Sequence, residues 1–384
     1  MKSPEEITQQ KLLTECIGVG ALLDDLSANF VFLVADTVAY EVSGASKVLE
    51  PILRNRGNGR FSGFDPNPKW KEVLACCDAI REHPPDAVLV VGGGTAIDIA
   101  KLANWFAAQL VSPTSILGGQ MYDPIPAPPL IAIPTTAGTG SEATHFSVVY
   151  VDGNKHSIAH ELMRPDVAII DPALTTNLPP DITAHSGLDA LCQAIESIWS
   201  IHATDRSLKY AQEALRLTWS NLEAAVNSPS AEARAAMARG AYLAGQAINL
   251  TKTTAPHALS YTFTSEHGIP HGAAVALTLG PMIAYNGLVN EKDCMDSRGP
   301  EAVQKRLAII CKTMRTDSPE KAGELFRQRV GAVGCPVTLH DTGIEGTDLV
   351  EQICGQVNLE RLANNPRRLT LPVIREFLET IYYD

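Results

Sequence analysis

Through the first half of the chain, short runs of β-branched and aliphatic residues alternate with helical periodicities, and in the second half helix follows helix. FVFLVADTVAY (30–40) begins as a buried strand, AVLVVGGG (87–94) is a second and LIAIPTT (130–136) a third. Between them, KWKEVLACCDAIREH (69–83) and AIDIAKLANWFAAQ (96–109) space apolar residues three and four apart, as a helix requires. That alternation predicts a parallel sheet with crossover helices. A Pro/Thr/Asp-rich joint, DPALTTNLPPDIT (171–183), closes this region. Beyond it the periodicities predict helices at 186–200, 204–226, 230–250, 301–315, 318–331 and 371–381. The pattern therefore divides the chain into an α/β domain (1–178) and an all-α domain (179–384), with no internal repeat or low-complexity tract.

Composition narrows the partners. The 384 residues carry a net charge of −12 with no compensating basic run, which argues against nucleic acid or an anionic membrane surface. The start, MKSPEEITQQKLLTECIG, has no apolar core with a cleavage site, and no stretch approaches the roughly 20 apolar residues of a membrane span. The expectation is a cytoplasmic protein. Eight cysteines (16, 76, 77, 192, 294, 311, 335 and 354) form no CxxC pair, as befits reduced thiols rather than a zinc knuckle.

The chemistry concentrates in four segments. TAPHALSYTFTSEHGIPHG (254–272) carries His257 and His271, and HSGLDALCQAIESIW (185–199) places Asp189, Gln193 and Glu196 on one helix face. One oxygen ligand and two imidazoles suit a divalent transition metal with an open position, although ten histidines also make chance proximity common. VLVVGGGTAIDIAK (88–101) runs from a strand through Gly92, Gly93 and Gly94 into a helix opening at Thr95. Backbone N–H groups and the helix N-terminus there suit a pyrophosphate, while the absence of GxGxxG leaves a purely steric reason for the glycines open. Asp98 either complements the helix dipole or holds that loop. IPTTAGTGSEAT (133–144) crowds hydroxyls and small residues at a strand end, where open α/β sheets bind ligands, or is an ordinary polar loop. Asp36, at the end of the first strand, either accepts bonds from an adenosine ribose, favouring NAD(H) over NADP(H), or is a solvated loop residue.

In this order the segments resemble the iron-containing (group III) alcohol dehydrogenases, a family related in fold to dehydroquinate synthase. GGGTAIDIAK resembles the family's GGGSxxDxAK, PTTAGTGSEAT its PTTxGTGSExT, and FDPNP (64–68) its PNP turn. DVAIIDPALTTNLPPDITAHSGLDAL and HGIPHG follow it too, so the likeness spans about residues 25 to 290. The resemblance implies a dinucleotide-binding domain with a parallel sheet, an all-α metal-binding domain, and hydride transfer in a cleft between them. Carried over by position, Asp189, Gln193, His257 and His271 would hold one divalent metal, Fe2+ first, with Zn2+ or Mn2+ as alternatives. Gly93, Gly94 and Thr95 would take the pyrophosphate. Asp98, Thr135, Thr136, Ser141 and Lys155 would line the cofactor, with Asn67 and Asp36 towards its adenosine end. A homodimer is the family expectation.

Two departures matter. The family usually has histidine at the position of Gln193, and a glutamine carbonyl is a harder, weaker donor than imidazole. Where a proton-relaying histidine often follows the first ligand histidine by four residues, this chain has Tyr261, with His267 as a substitute candidate. Substrate class turns on INLTKTTAPHAL (248–259): Lys252, Thr253 and Thr254 stand where the family usually has small or apolar residues. A cation and two hydroxyls so close to a ligand histidine suit an anionic substrate, unless the lysine simply snorkels to solvent. KTTAPHALSY also resembles the phosphonoacetaldehyde reductases, a branch of the family in phosphonate biosynthesis. The expected reaction is reduction of phosphonoacetaldehyde to 2-hydroxyethylphosphonate, with Lys252 as anchor and Arg164 and His202 as weaker anchor candidates. The rival readings are a short-chain alcohol or diol dehydrogenase of the lactaldehyde or propanediol type, a dehydroquinate synthase-like cyclase, and a metal-poor nucleotide-binding protein without turnover.

Overall fold

The computed structural model describes residues 10–344, 348–357 and 359–383. The sequence reading of the first nine residues lies outside them. The chain divides into two compact units, Met1–Leu178 and Pro179–Asp384.

In the first unit the strands are β1 (Lys11–Leu13), β2 (Phe30–Ala35), β3 (Gly57–Phe61), β4 (Ala87–Gly92), β5 (Leu130–Pro134), β6 (Phe146–Val151), β7 (Asn154–Ala159) and β8 (Val167–Ile169). Its helices are α1 (Val19–Asp25), α2 (Thr37–Val42), α3 (Ala45–Leu53), α4 (Trp70–Glu82), α5 (Gly94–Ala108) and α6 (Pro113–Leu117). Among the described residues, six strands pair in the order β1-β8-β5-β4-β2-β3, every pairing parallel. Alternation along the strands supplies two cores. Val31, Leu33, Leu89, Val91, Ile131 and Ile133 pack with Leu22 and Leu23 of α1 and Leu49 and Leu53 of α3. Phe32, Val34, Val88, Val90, Leu130 and Ala132 pack with Val73 and Ile80 of α4 and Ile99 and Phe106 of α5. Burial on both faces is why β2, β4 and β5 read as unbroken apolar runs. The sequence reading missed β1, β3 and β8, because β1 and β8 are three residues long and β3 is the glycine-rich edge GNGRF. It also missed the antiparallel β6–β7 hairpin, whose Asp152-Gly153 turn has both residues at positive φ, as a tight hairpin turn demands.

The second unit contains α7 (Pro180–Trp199), α8 (Asp205–Asn227), α9 (Ala231–Thr251), α10 (Ala255–Ser265), α11 (His271–Gly287), α12 (Pro300–Thr313), α13 (Pro319–Ala332), α14 (Asp348–Gln356), α15 (Leu359–Leu362) and α16 (Leu371–Tyr383). None of its described residues is in a strand of the two sheets. α7 starts at Pro180, ahead of the predicted 186, because proline fits the first helical position where no N–H is needed. α10 and α11 escaped the periodicity because Ala255 through Ser260 and Ala273 through Gly280 are buried without interruption, leaving no polar face to mark a period. No described helix is long and apolar enough to cross a membrane.

Candidate active site

Asp189, Gln193 and Glu196 lie on one buried face of α7. His257 sits in the first turn of α10 and His271 opens α11. What brings them together is Gly272: a Cβ there would stand 1.8 Å from the His185 carbonyl oxygen and 2.9 Å from the Asp189 amide nitrogen. Only glycine lets the start of α11 lie against the backbone of α7. As a result, ligand atoms of Asp189, His257 and His271 all fall within 4.8 Å of one another. His257 Nε2 is 3.3 Å from Asp189 Oδ1, and Gln193 Nε2 donates to the same oxygen at 3.1 Å. Glu196 stands outside this set, on the far side of the imidazole, with Oε2 in hydrogen-bond contact with His257 Nδ1.

The electrostatics match the donor set. Burial opposes charge on Asp189, yet the hydrogen bond from His257 and the nearby His271 outweigh it and hold the carboxyl below its ordinary range. Burial likewise opposes the His257 cation, but Glu196 and Asp189 override it and push the imidazole up to about 9. A pocket that stabilises positive charge, lined by one carboxylate and two imidazoles with an amide beside them, fits a divalent transition metal.

Five residues before His257, Lys252 ends α9 at φ 58 and ψ 175, a region almost reserved for glycine. Its surroundings fix it there: Lys252 N donates to Ile248 O at 2.8 Å, and Thr251 Oγ1 donates to Lys252 O at 3.0 Å. The next carbonyl, of Thr253, accepts from Asn364 Nδ2 at 2.9 Å, and Asn364 Oδ1 lies 3.1 Å from His202 Nε2. Lys252 itself is exposed while Thr253 and Thr254 are buried. The weaker anchor candidate His202 thus belongs to this turn, whereas Arg164 is in the first unit. Asn364 was not anticipated; the Asn364-Asn365-Pro366 sequence was its only signal. Tyr261 lies one helical turn beyond His257, and His267 occupies the α10–α11 connection with Nε2 buried and unbonded among the described residues.

In the first unit, β4 ends at Gly92, Gly93 caps α5, and Gly94 begins it. A Cβ on Gly94 would meet Thr139 Cγ2 at 2.7 Å, and one on Gly93 would lie 3.5 Å from Thr136 Oγ1. The glycine turn therefore packs directly on the 133–144 loop. Thr135 N donates to Gly92 O at 3.0 Å, while Thr135 Oγ1 is buried with no partner among the described residues. Asn67, at φ 65, donates its N–H to Thr95 Oγ1 at 3.2 Å, tying the PNP turn to the start of α5. Asp36 N donates to Val91 O at 3.1 Å and Asp36 Oδ1 caps α2 by accepting from Ala39 N.

Asp98 holds the loop: Oδ1 accepts from Ser141 Oγ and Oδ2 from Val148 N at 2.9 Å. Burial raises its pKa despite the charges of Lys101 and Lys155. Lys101 was missed altogether. It is almost fully buried, and Nζ donates to Ser141 O and Thr144 Oγ1, both at 3.0 Å, and to Phe146 O. Burial lowers it to about 8 despite Asp98 and Glu142 nearby, and raises Glu142 to about 7. Its signal was its place three residues after Asp98 on a helix whose other buried residues are, Asn104 apart, apolar. A glycine turn without room for a Cβ at Gly94, a helix N-terminus and an unbonded buried hydroxyl fit a pyrophosphate-bearing cofactor.

Two family descriptions cover nearly all of the chain: iron-containing alcohol dehydrogenase over residues 13–172, and its C-terminal domain over 183–382. Phosphonoacetaldehyde reductase from Streptomyces viridochromogenes is 34% identical over 307 residues, 77% of this chain and 76% of that one. Sulfoacetaldehyde reductase from Bilophila wadsworthia is 29% identical across 94% of this chain and 95% of its own. Among solved structures, sulfoacetaldehyde reductase from Bifidobacterium kashiwanohense in complex with NAD+ matches with a TM-score of 0.86 at 28% identity, covering 97% of each chain. With both units matched by the family and a relative above 30% identity over most of its length, this chain belongs to the iron-containing alcohol dehydrogenases.

Proposed function

We propose that the protein reduces phosphonoacetaldehyde, with NADH and a proton, to 2-hydroxyethylphosphonate and NAD+. The observation that carries this reading is Lys252, an exposed cation held at φ 58 and ψ 175 five residues before a metal-ligand candidate. A strained, over-determined backbone beside a reactive site is the usual mark of a positioned functional residue. The named relatives support the class, since phosphonoacetaldehyde and sulfoacetaldehyde are both two-carbon aldehydes bearing a tetrahedral anion.

In this reading Asp189, His257 and His271 hold a divalent metal, Fe2+ by family, with the Gln193 amide beside them. Bound in place, the metal supplies Lewis acidity towards the aldehyde oxygen and the reduced nicotinamide supplies hydride. Gly93, Gly94 and Thr95 cradle the pyrophosphate, and Thr135 and Thr136 offer hydroxyls beside it. Asp98 and Ser141 keep the loop that carries those hydroxyls in shape and, with Lys155, line the cofactor. Asp36, at the carboxyl end of β2 and adjacent to Gly92, favours NAD(H), because its charge repels a 2′-phosphate; Asn67 lies on the same side through Thr95. Lys252 pairs with the phosphonate, and Tyr261 or His267 delivers the proton. Eight free cysteines suit a reducing cytoplasm, and the family reading adds a homodimer serving phosphonate biosynthesis.

The test is Lys252→Ala assayed with both an anionic and an uncharged aldehyde. The reading expects KM for phosphonoacetaldehyde to rise about tenfold or more, the ~1.5–3 kcal/mol of a charge-assisted contact, with the uncharged aldehyde unaffected. An unchanged KM for the phosphonate would remove Lys252 from the anchor role.

A further inference from the structure

We infer that Glu196 is the positioning residue that sets the tautomer of His257 and thereby makes Nε2, not Nδ1, its metal-binding nitrogen. Four fully or almost fully buried side chains form the chain of contacts: Glu196, Trp199 and Thr254 are each 0% exposed and His257 5%. Indole N–H can only donate. Trp199 Nε1 points at Thr254 Oγ1 at 2.8 Å, so that oxygen accepts there and its own proton must go elsewhere. The remaining partner is Glu196 Oε1, 2.8 Å away, which also accepts from Thr254 N at 2.8 Å. With Oε1 taken by the two Thr254 donors and, at 3.5 Å, by His257 N, Oε2 is left to face His257 Nδ1. Oε2 therefore accepts from Nδ1, which keeps its hydrogen, and when the ring gives up a proton to bind a metal it is Nε2 that is left with the lone pair. That nitrogen is the one 3.3 Å from Asp189 Oδ1. A single donor-only indole thus propagates hydrogen-bond direction through a hydroxyl and a carboxylate to the ring. Glu196 also fixes the ring plane, as carboxylates behind ligand histidines do elsewhere.

The consequence is specific to the chemistry of Glu196 and independent of which aldehyde is reduced. In Glu196→Gln the amide oxygen would have to take both Thr254 donors, turning the amide NH2 towards Nδ1. That arrangement moves the ring proton to Nε2 and removes the lone pair the metal needs. We expect Co2+ affinity, measured by competition with a chromophoric chelator, to fall about 10- to 100-fold. Urea midpoints of the metal-free wild-type and variant proteins, compared alongside, report any loss of folding separately. Wild-type affinity in a folded Glu196→Gln protein would overturn the inference. Should the variant fail to fold, a crystal structure of wild-type protein loaded with Co2+ decides the matter: Nε2 of His257 on the metal supports the assignment, and Nδ1 on the metal refutes it.

Discussion

Asn364 and Thr253 lie 111 positions apart in the chain and are joined by a buried hydrogen bond of 2.9 Å from Asn364 Nδ2 to the Thr253 carbonyl oxygen. The bond ties the carboxyl-terminal part of the chain to the turn that carries Lys252. Asn364→Ala should leave that carbonyl unsatisfied, at a cost of ~1–3 kcal/mol. Because the turn sets where Lys252 stands, the loss should raise KM for phosphonoacetaldehyde by about tenfold with kcat little changed. Steady-state kinetics with both aldehydes would check it; a uniform drop in kcat for both would mean the asparagine supports the fold alone.

Lys252 makes a second, opposite-signed prediction. Its backbone conformation favours glycine, so Lys252→Gly should unfold at higher denaturant than Lys252→Ala, by ~1–3 kcal/mol, while both lose the phosphonate preference. Equal midpoints would show that the turn relaxes to an ordinary conformation once the lysine is gone.

Gly272→Ala should be far more damaging than its size suggests, since the new methyl would stand 1.8 Å from the His185 carbonyl oxygen. The start of α11 must then move off α7, taking His271 away from Asp189 and His257. The expectation is metal affinity too weak to measure, together with ~1–3 kcal/mol or more lost in stability. Near-normal metal binding by calorimetry would contradict the role assigned to this close approach.

How far the sequence disclosed these features depends on how local their causes are. β2, β4 and β5 were legible because burial on both sheet faces writes itself as a continuous apolar run, and α7 because Asp189, Gln193 and Glu196 repeat at helical spacing within one segment. His257 and His271 could be singled out because both fall in one short stretch. By contrast, Lys101 acts across 40 positions, Glu196 across 61 and Asn364 across 111. No pattern within a window of one helix reveals such partners. α10 and α11 were invisible for a different reason: a helix buried all round carries no amphipathic period.

Stability in acid should be governed in part by Asp296. Burial disfavours its charge, but the Arg298 and Arg306 guanidinium groups bonded to it prevail and bring its pKa down to about 2. A carboxyl lowered in the folded state stabilises fully above its unfolded value of 3.8, and that contribution is lost as pH falls from there through about 2. Asp296→Asn leaves the buried Arg306 without its counter-ion and should cost ~3–5 kcal/mol at neutral pH. The gap between wild type and variant, read from urea midpoints, should hold from pH 7 to 5 and narrow below 3.8. A gap that stays constant to the lowest accessible pH would show that the carboxylate charge is not what matters.

The most direct test of the functional account is the rate of NADH oxidation by anaerobically iron-loaded protein, with phosphonoacetaldehyde and an uncharged two- or three-carbon aldehyde compared side by side. The account predicts a kcat/KM at least about tenfold higher for the phosphonate, the worth of ~1.4 kcal/mol in the anchoring contact. Equal values for the two aldehydes would contradict it and make the protein a short-chain alcohol dehydrogenase with an idle lysine at the end of α9.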